Sequence, residues 1–284
     1  MKLISLLDQL AATPVTPAAT PRRAALAQLG RAVGATLPAA LIATPAAAET
    51  KATSQDAVTQ LLLLERLQKA YYAQALAVAG LIPAAQTADF QRMLQHQTQH
   101  EAFLALALQN GGTTVPATPS FDFSGRKNVA ANPVLFPNVL SSYDDFLALA
   151  QQLEDLGVRL YKALAFSITD DSQLAKSVLR MHTVEGEHSA HVRGLRRGRG
   201  VAVRPWPSET DAPITRPAAA QALTTAATDG EANGLQYLSA STAIPFTSFL
   251  LIRDNTAVRD PALAEAFDEP VSTAVAQSAL NLFF

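Results

Sequence analysis

Three glutamates occupy positions where a soluble helix would normally carry an apolar residue. Glu65, Glu154 and Glu185 each fall on the apolar stripe of a segment with helical periodicity, not on its solvent side. An ionised carboxylate buried there is strongly unfavourable unless it is paired or binds a metal. His100 and His188 lie on the same stripes, and Glu185-Gly186-Glu187-His188 is a Glu-x-x-His whose i, i+3 spacing points both side chains to one face. Facing helices can converge such groups on two metal ions. The usual set is one Glu from each of two helices and a Glu-x-x-His from each of the other two. Carboxylate and imidazole ligands suit iron or manganese. A lone Glu on an apolar stripe is usually a snorkelling or hydrogen-bonded acid; three on three segments argue against coincidence. His96, His182 and His191 read as surface or packing residues and stay outside this set. Tyr71, Tyr72 and Tyr161 read as core aromatics, with Tyr161 able to donate to a site carboxylate.

The segments that must carry these residues are helices expected over 56–80, 87–110, 142–167 and 171–197. Thr87 is the expected N-cap of the second, and Asn110-Gly111-Gly112 ends it. Ser141-Ser142-Tyr143-Asp144-Asp145 opens the third with cap candidates and acids in the first turn. Arg193, Arg196 and Arg197 crowd the last turn of the fourth, where they read as capping charges on a solvated helix end. Short connections make two antiparallel hairpins. About 30 residues separate the second helix from the third, ample to run back along a helix roughly 36 Å long. Two hairpins joined by one long crossover form an all-α, ferritin-like four-helix bundle. Past Arg199, short helices are expected near 217–228, 242–253 and 270–281, packed on the bundle because Phe246, Phe249, Leu250, Leu251 and Phe267 need burial.

Composition bounds the partners. The chain has 284 residues, 49% of them hydrophobic and 16% charged, with no Cys and a net charge of −2. Absence of Cys excludes disulfides, thiolate metal sites and thiol catalysis. The weakly negative balance argues against nucleic acid, whose phosphates need a clustered basic surface. Residues 1–48 differ from the rest. Arg22-Arg23 precede an Ala- and Leu-rich run that ends at Pro45-Ala46-Ala47-Ala48, the order of a twin-arginine export signal with a small-residue cleavage site. The same composition also suits a plain Ala/Pro-rich arm. Ala32 to Ala43 is the charge-free stretch and is too short for a membrane span, which needs about 20 residues. The expected organisation is thus a leader over 1–48, a bundle over 49–200 and a C-terminal extension over 201–284. The mature product should be exported, periplasmic or extracellular, without a membrane span.

Leu64-Glu65, the run Leu153-Glu154-Asp155-Leu156-Gly157-Val158-Arg159-Leu160-Tyr161-Lys162, and Val184-Glu185-Gly186-Glu187-His188 resemble the exported bacterial ferritin-like domain family, related to plant desiccation-associated proteins. Pro21-Arg22-Arg23 and Ala266-Phe267-Asp268-Glu269-Pro270 are similar too, so the resemblance covers most of the chain. It implies metal-ligand roles for Glu65, His100, Glu154, Glu185 and His188. The departure is Gln97-Thr98-Gln99-His100, where the family pattern implies Glu-x-x-His. Gln97 offers only a neutral carbonyl oxygen, and Glu101 lies a helical turn further along. The site would then be short of one negative charge, and would hold a single ion or two weakly.

Two functions compete at this stage. One is an envelope protein binding one or two iron or manganese ions, and, if an enzyme, a metal-dependent oxidoreductase that oxidises iron or removes peroxide. The other is a metal-free structural or desiccation/stress protein that keeps the fold without the chemistry.

Overall fold

The computed structural model describes residues 53–228, 235–236, 244–245, 265 and 268–284. The expected leader, and Phe246, Phe249, Leu250, Leu251 and Phe267 of the tail, lie outside the described residues. Four long helices dominate: α1 (Ser54–Ala77), α2 (Ala84–Asn110), α3 (Tyr143–Ala165) and α4 (Ser172–Gly198). A 3-10 turn (Ala218–Ala220) leads into α5 (Gln221–Thr228), and α6 (Thr273–Leu280) precedes the C-terminus. Leu235–Gln236 and Ile244–Pro245 form a two-residue antiparallel pairing. The expected 242–253 helix is thus corrected at its only described residues. Pro245 lacks the N–H that a helix interior needs.

Local chemistry sets the helix ends. Thr53 caps α1 in a reciprocal box: its hydroxyl accepts from the Asp56 N–H at 3.1 Å, and the Asp56 carboxylate accepts from the Thr53 N–H. α2 begins three residues earlier than expected. Pro83, not Thr87, is its N-cap, and the Thr87 hydroxyl donates back to the Pro83 carbonyl at 3.3 Å. Ala84, Ala85 and Gln86 are good helix formers, so nothing delays the start. At the other end Gly112 takes the left-handed conformation (φ 74°), and the Thr113 N–H reaches back to the Leu108 carbonyl. Ser142 caps α3 and Asp171 caps α4, the latter accepting from the N–H groups of both Gln173 and Leu174 at 2.9 Å.

α1 packs along α2, and α3 along α4; α1 also packs on α3, whereas α2 and α4 scarcely touch. The 111–142 crossover is anchored by burial of Phe123, Leu135, Phe136 and Val139, with Phe136 stacked on Phe283 from the C-terminus. α5 packs on α3, and α6 on α5. Arg159 ties this layer to α3, donating to the carbonyls of Ala226 at 2.8 Å and Glu269 at 2.9 Å, while Lys162 pairs with Asp268 at 2.8 Å. Among the described residues no helix is long and apolar enough to cross a membrane.

The arginines ending α4 correct the sequence expectation. Arg197 is exposed, but Arg193 and Arg196 are buried. Arg193 bridges Asp155 on α3 and Asp211 in the segment after α4, and Arg196 donates to Gln151. The chain from Val201 to Asp211 folds back over this end, so it is not a solvated terminus.

Candidate metal centre

α1, α2, α3 and α4 bring Glu65, His100, Glu154, Glu185 and His188 into one cluster inside the bundle. The three carboxylates are fully buried; the side chains of His188 and His100 are 5% and 12% exposed. The cluster consists of two overlapping triads, Glu65–His100–Glu185 and Glu154–Glu185–His188, with the polar atoms of each within 4.8 Å of one another. Glu185 belongs to both. Its Oε1 lies 3.6 Å from Nδ1 of His100 and 3.7 Å from Nδ1 of His188. Glu65 approaches His100 Nδ1 at 3.3 Å, and Glu154 approaches His188 Nδ1 at 3.5 Å.

Each carboxylate is held by a protein donor on one oxygen and open on the other. Tyr161 on α3 donates to Glu65 on α1; Tyr72 on α1 donates to Glu154 on α3. Gln68 donates to Glu185 Oε2 at 2.9 Å. Among the described residues the remaining oxygens, Glu65 Oε2, Glu154 Oε2 and Glu185 Oε1, have no hydrogen-bond partner, nor do Nδ1 of His100 and Nδ1 of His188. Buried polar atoms normally find partners, so five orphans in one cluster need an explanation. A divalent cation supplies one, since it takes a lone pair from each. The residues present therefore fit a metal.

Gly157 makes the packing possible. A Cβ at this position would lie 2.6 Å from Glu185 Oε2 and 3.0 Å from Gln68 Nε2, so only glycine leaves room for that hydrogen bond. The other polar residues of the Glu154–Lys162 run are also accounted for: Asp155 pairs with Arg193, Arg159 and Lys162 hold the tail, and Tyr161 orients Glu65.

Burial and mutual charge set the proton affinities. Burial, with the Glu185 charge added, raises Glu65 to about 7 and pushes Glu154 well above the usual carboxylate range. Burial would raise Glu185 too, but the close approach of the His100 imidazole at 3.6 Å and the charges of His188 and His100 override it, so its affinity falls below the ordinary value. Burial pulls His100 down, yet the Glu185 and Glu65 carboxylates outweigh it and hold this imidazole up to about 10. Burial keeps Tyr72 and Tyr161 protonated, as hydrogen-bond donors to the carboxylates.

Gln97 is fully buried, and both its amide atoms lack partners among the described residues. Glu101 does not replace it: its carboxylate is taken by Arg66 at 3.0 Å and Lys69 at 2.7 Å. Reading the sequence missed Gln68, Tyr72 and His96 as neighbours of this cluster. His96, read as a surface or packing residue, has its Nδ1 3.0 Å from His188 Nε2, next to the cluster. A repeat could have found one of them, Tyr72. Glu65 and Tyr72 recur 89 residues on as Glu154 and Tyr161, and His100 recurs 88 residues on as His188, with Gly157 in the place of Gln68 and Glu185 in that of Gln97. The two hairpins are therefore related by an approximate internal repeat, broken at Gln68/Gly157 and Gln97/Glu185.

No curated protein matches the chain. The sequence model of the family described as a ferritin-like domain matches residues 54–197, from the first turn of α1 to the last turn of α4. That span is just over half of the chain and contains all five clustered residues, so the chain belongs to the ferritin-like domain family.

Proposed function

We propose that this ferritin-like protein is exported and binds iron or manganese at the cluster of Glu65, His100, Glu154, Glu185 and His188, serving redox protection of the cell envelope. The observation that carries this reading is the set of five buried ligand atoms without a hydrogen-bond partner among the described residues, on side chains that form two overlapping triads, while the opposite carboxylate oxygens are held. When bound, such ions supply electron exchange with dioxygen or peroxide. The protein's part is to fix the ligands and keep the surroundings dry. Tyr72, Tyr161 and Gln68 hold the carboxylates in place, so little rearrangement accompanies binding. Leu61 and Leu64 on α1 and Leu153 and Leu160 on α3, the helices that carry Glu65 and Glu154, are buried, and Tyr71 beside Tyr72 stacks on Phe146. The Arg22-Arg23 leader and the resemblance to exported, desiccation-related ferritin-like proteins support the location and the stress role.

One preparation tests both parts. Protein recovered from the periplasm or medium should show by intact mass a new N-terminus at or near Glu49. Elemental analysis of the same sample should find one to two iron or manganese ions per chain. Metal near zero after growth with both metals would overturn the metal reading. It would favour the metal-free structural role, in which Tyr72, Tyr161, Gln68 and His100 already serve the carboxylates. Recovery only from the cytoplasm with the leader intact would overturn export.

A further inference from the structure

Resting on the metal reading above, we propose that the two halves of the centre are unequal: one divalent cation binds first and tightly at Glu154, Glu185 and His188, with His96 as the residue that positions His188 for it. The internal repeat makes each half a control for the other. In the α3/α4 half, His96 Nδ1 sits 3.0 Å from His188 Nε2, with the two rings 10° from parallel. A cation on His188 Nδ1 requires the ring proton on Nε2, and His96 Nδ1 is placed to accept that hydrogen bond. At the equivalent place beside His100 the repeat has Val184, whose side chain accepts nothing.

The acids differ in the same sense. Gln68 reaches through the gap over Gly157 and fixes Glu185 by a 2.9 Å hydrogen bond. The repeat mate of Glu185 is Gln97, and the mate of Gln68 is Gly157, so Gln97 loses both the charge and the side chain that would hold it. Its amide is accordingly buried without a partner. Three carboxylates more than offset one divalent ion but fall short of two. Glu185 serves both triads, so it is the braced imidazole that directs the first cation to the Glu154 half, and a second cation lacks the charge that an acid at position 97 would supply.

The test uses the full chain, stripped with chelator and titrated with Co²⁺, followed by visible absorption and equilibrium dialysis. Wild type should take up one tight equivalent, with any second at least about tenfold weaker. His96→Leu should weaken the tight equivalent by about 10- to 100-fold and shift its cobalt absorption bands, the scale expected when a ligand's hydrogen-bond partner is removed. His96→Asn, which keeps an acceptor, should recover most of both, a rescue that a mere packing role for His96 would not give. Gln97→Glu should raise uptake to two comparable equivalents. Two equal equivalents in wild type would overturn the inequality and leave the metal reading standing. An unchanged tight site in folded His96→Leu would overturn the role of His96. No uptake by any variant would overturn this inference and the metal reading together.

Discussion

Glu154 and Asp155 are adjacent in sequence and equally buried, yet they serve opposite ends. Asp155 is saturated: Oδ1 accepts from Ser189 at 2.6 Å and Arg193 Nε at 2.9 Å, and Oδ2 accepts from Arg193 Nη2 at 2.6 Å and Gln151 at 3.2 Å. Glu154 accepts from Tyr72 on one oxygen, and the other has no partner. Both sit on α3 and face α4, so burial alone does not tell them apart. What separates them is completion. The Asp155 cluster closes on itself and joins helices, whereas the Glu154 cluster is built to be closed by something else. A buried ion pair is weak evidence for net stability, but a broken one is strongly destabilising.

That contrast gives the largest expected effect. Arg193→Met leaves Asp155 buried without its cation and should lower unfolding stability by about 3–5 kcal/mol in denaturant titration. Metal uptake per folded molecule should stay unchanged. Glu154→Gln is the opposing case: it removes a buried acid with an open oxygen, so the chelated protein should lose little stability while metal uptake drops. Equal destabilisation by the two substitutions would break the comparison.

The open cluster should also respond to pH in a way the closed one does not. Glu65 keeps its proton in the folded, metal-free chain up to about 7, against 4.5 ordinarily. The folded state thus binds more protons than the unfolded one between those values, and stability falls as pH rises through them. His100, held up to about 10 against 6.5, contributes stability that is complete below 6.5 and is lost as pH rises towards 10. Both act in one direction. His188, His96 and His182, held below the ordinary 6.5 by burial, oppose this trend below that value. The decline of melting temperature in chelator should therefore be clearest between about pH 7 and pH 10, and added Mn²⁺, which competes with the Glu65 and His100 protons, should stabilise more at the alkaline end. A flat profile in chelator would break the assignment of buried, proton-holding groups to this cluster.

The smallest effect belongs to a third pairing between the same elements. Asp144 near the start of α3 meets Arg199 just past α4, with one contact at 3.0 Å, but both are exposed. Asp144→Asn should shift a denaturation curve only slightly at low salt and less at high salt. An effect as large as that of Arg193→Met would mean that exposure is not what separates these pairs.

The sequence alone determined the four long helices, their hairpin pairing with the crossover, and the five residues that meet in the centre. Those signals are local: a 3.6-residue stripe, a cap, and a charged residue out of phase with its neighbours. Helix ends slipped where two starts were equally permitted, as at Pro83 and Thr87. Only the tertiary structure decided which polar groups were finished. Arg193 reads as a capping charge on a solvated helix end until Asp155 and the segment carrying Trp206 and Asp211 close on it, and that segment has no periodic pattern to announce it. His96 reads as a surface or packing residue until α4 places His188 beside it, 92 positions away. Whether a buried atom has a partner depends on chain segments far apart in sequence, brought within 3 Å by packing. Periodicity reports which face a residue occupies; what waits on the other side is a property of the whole fold.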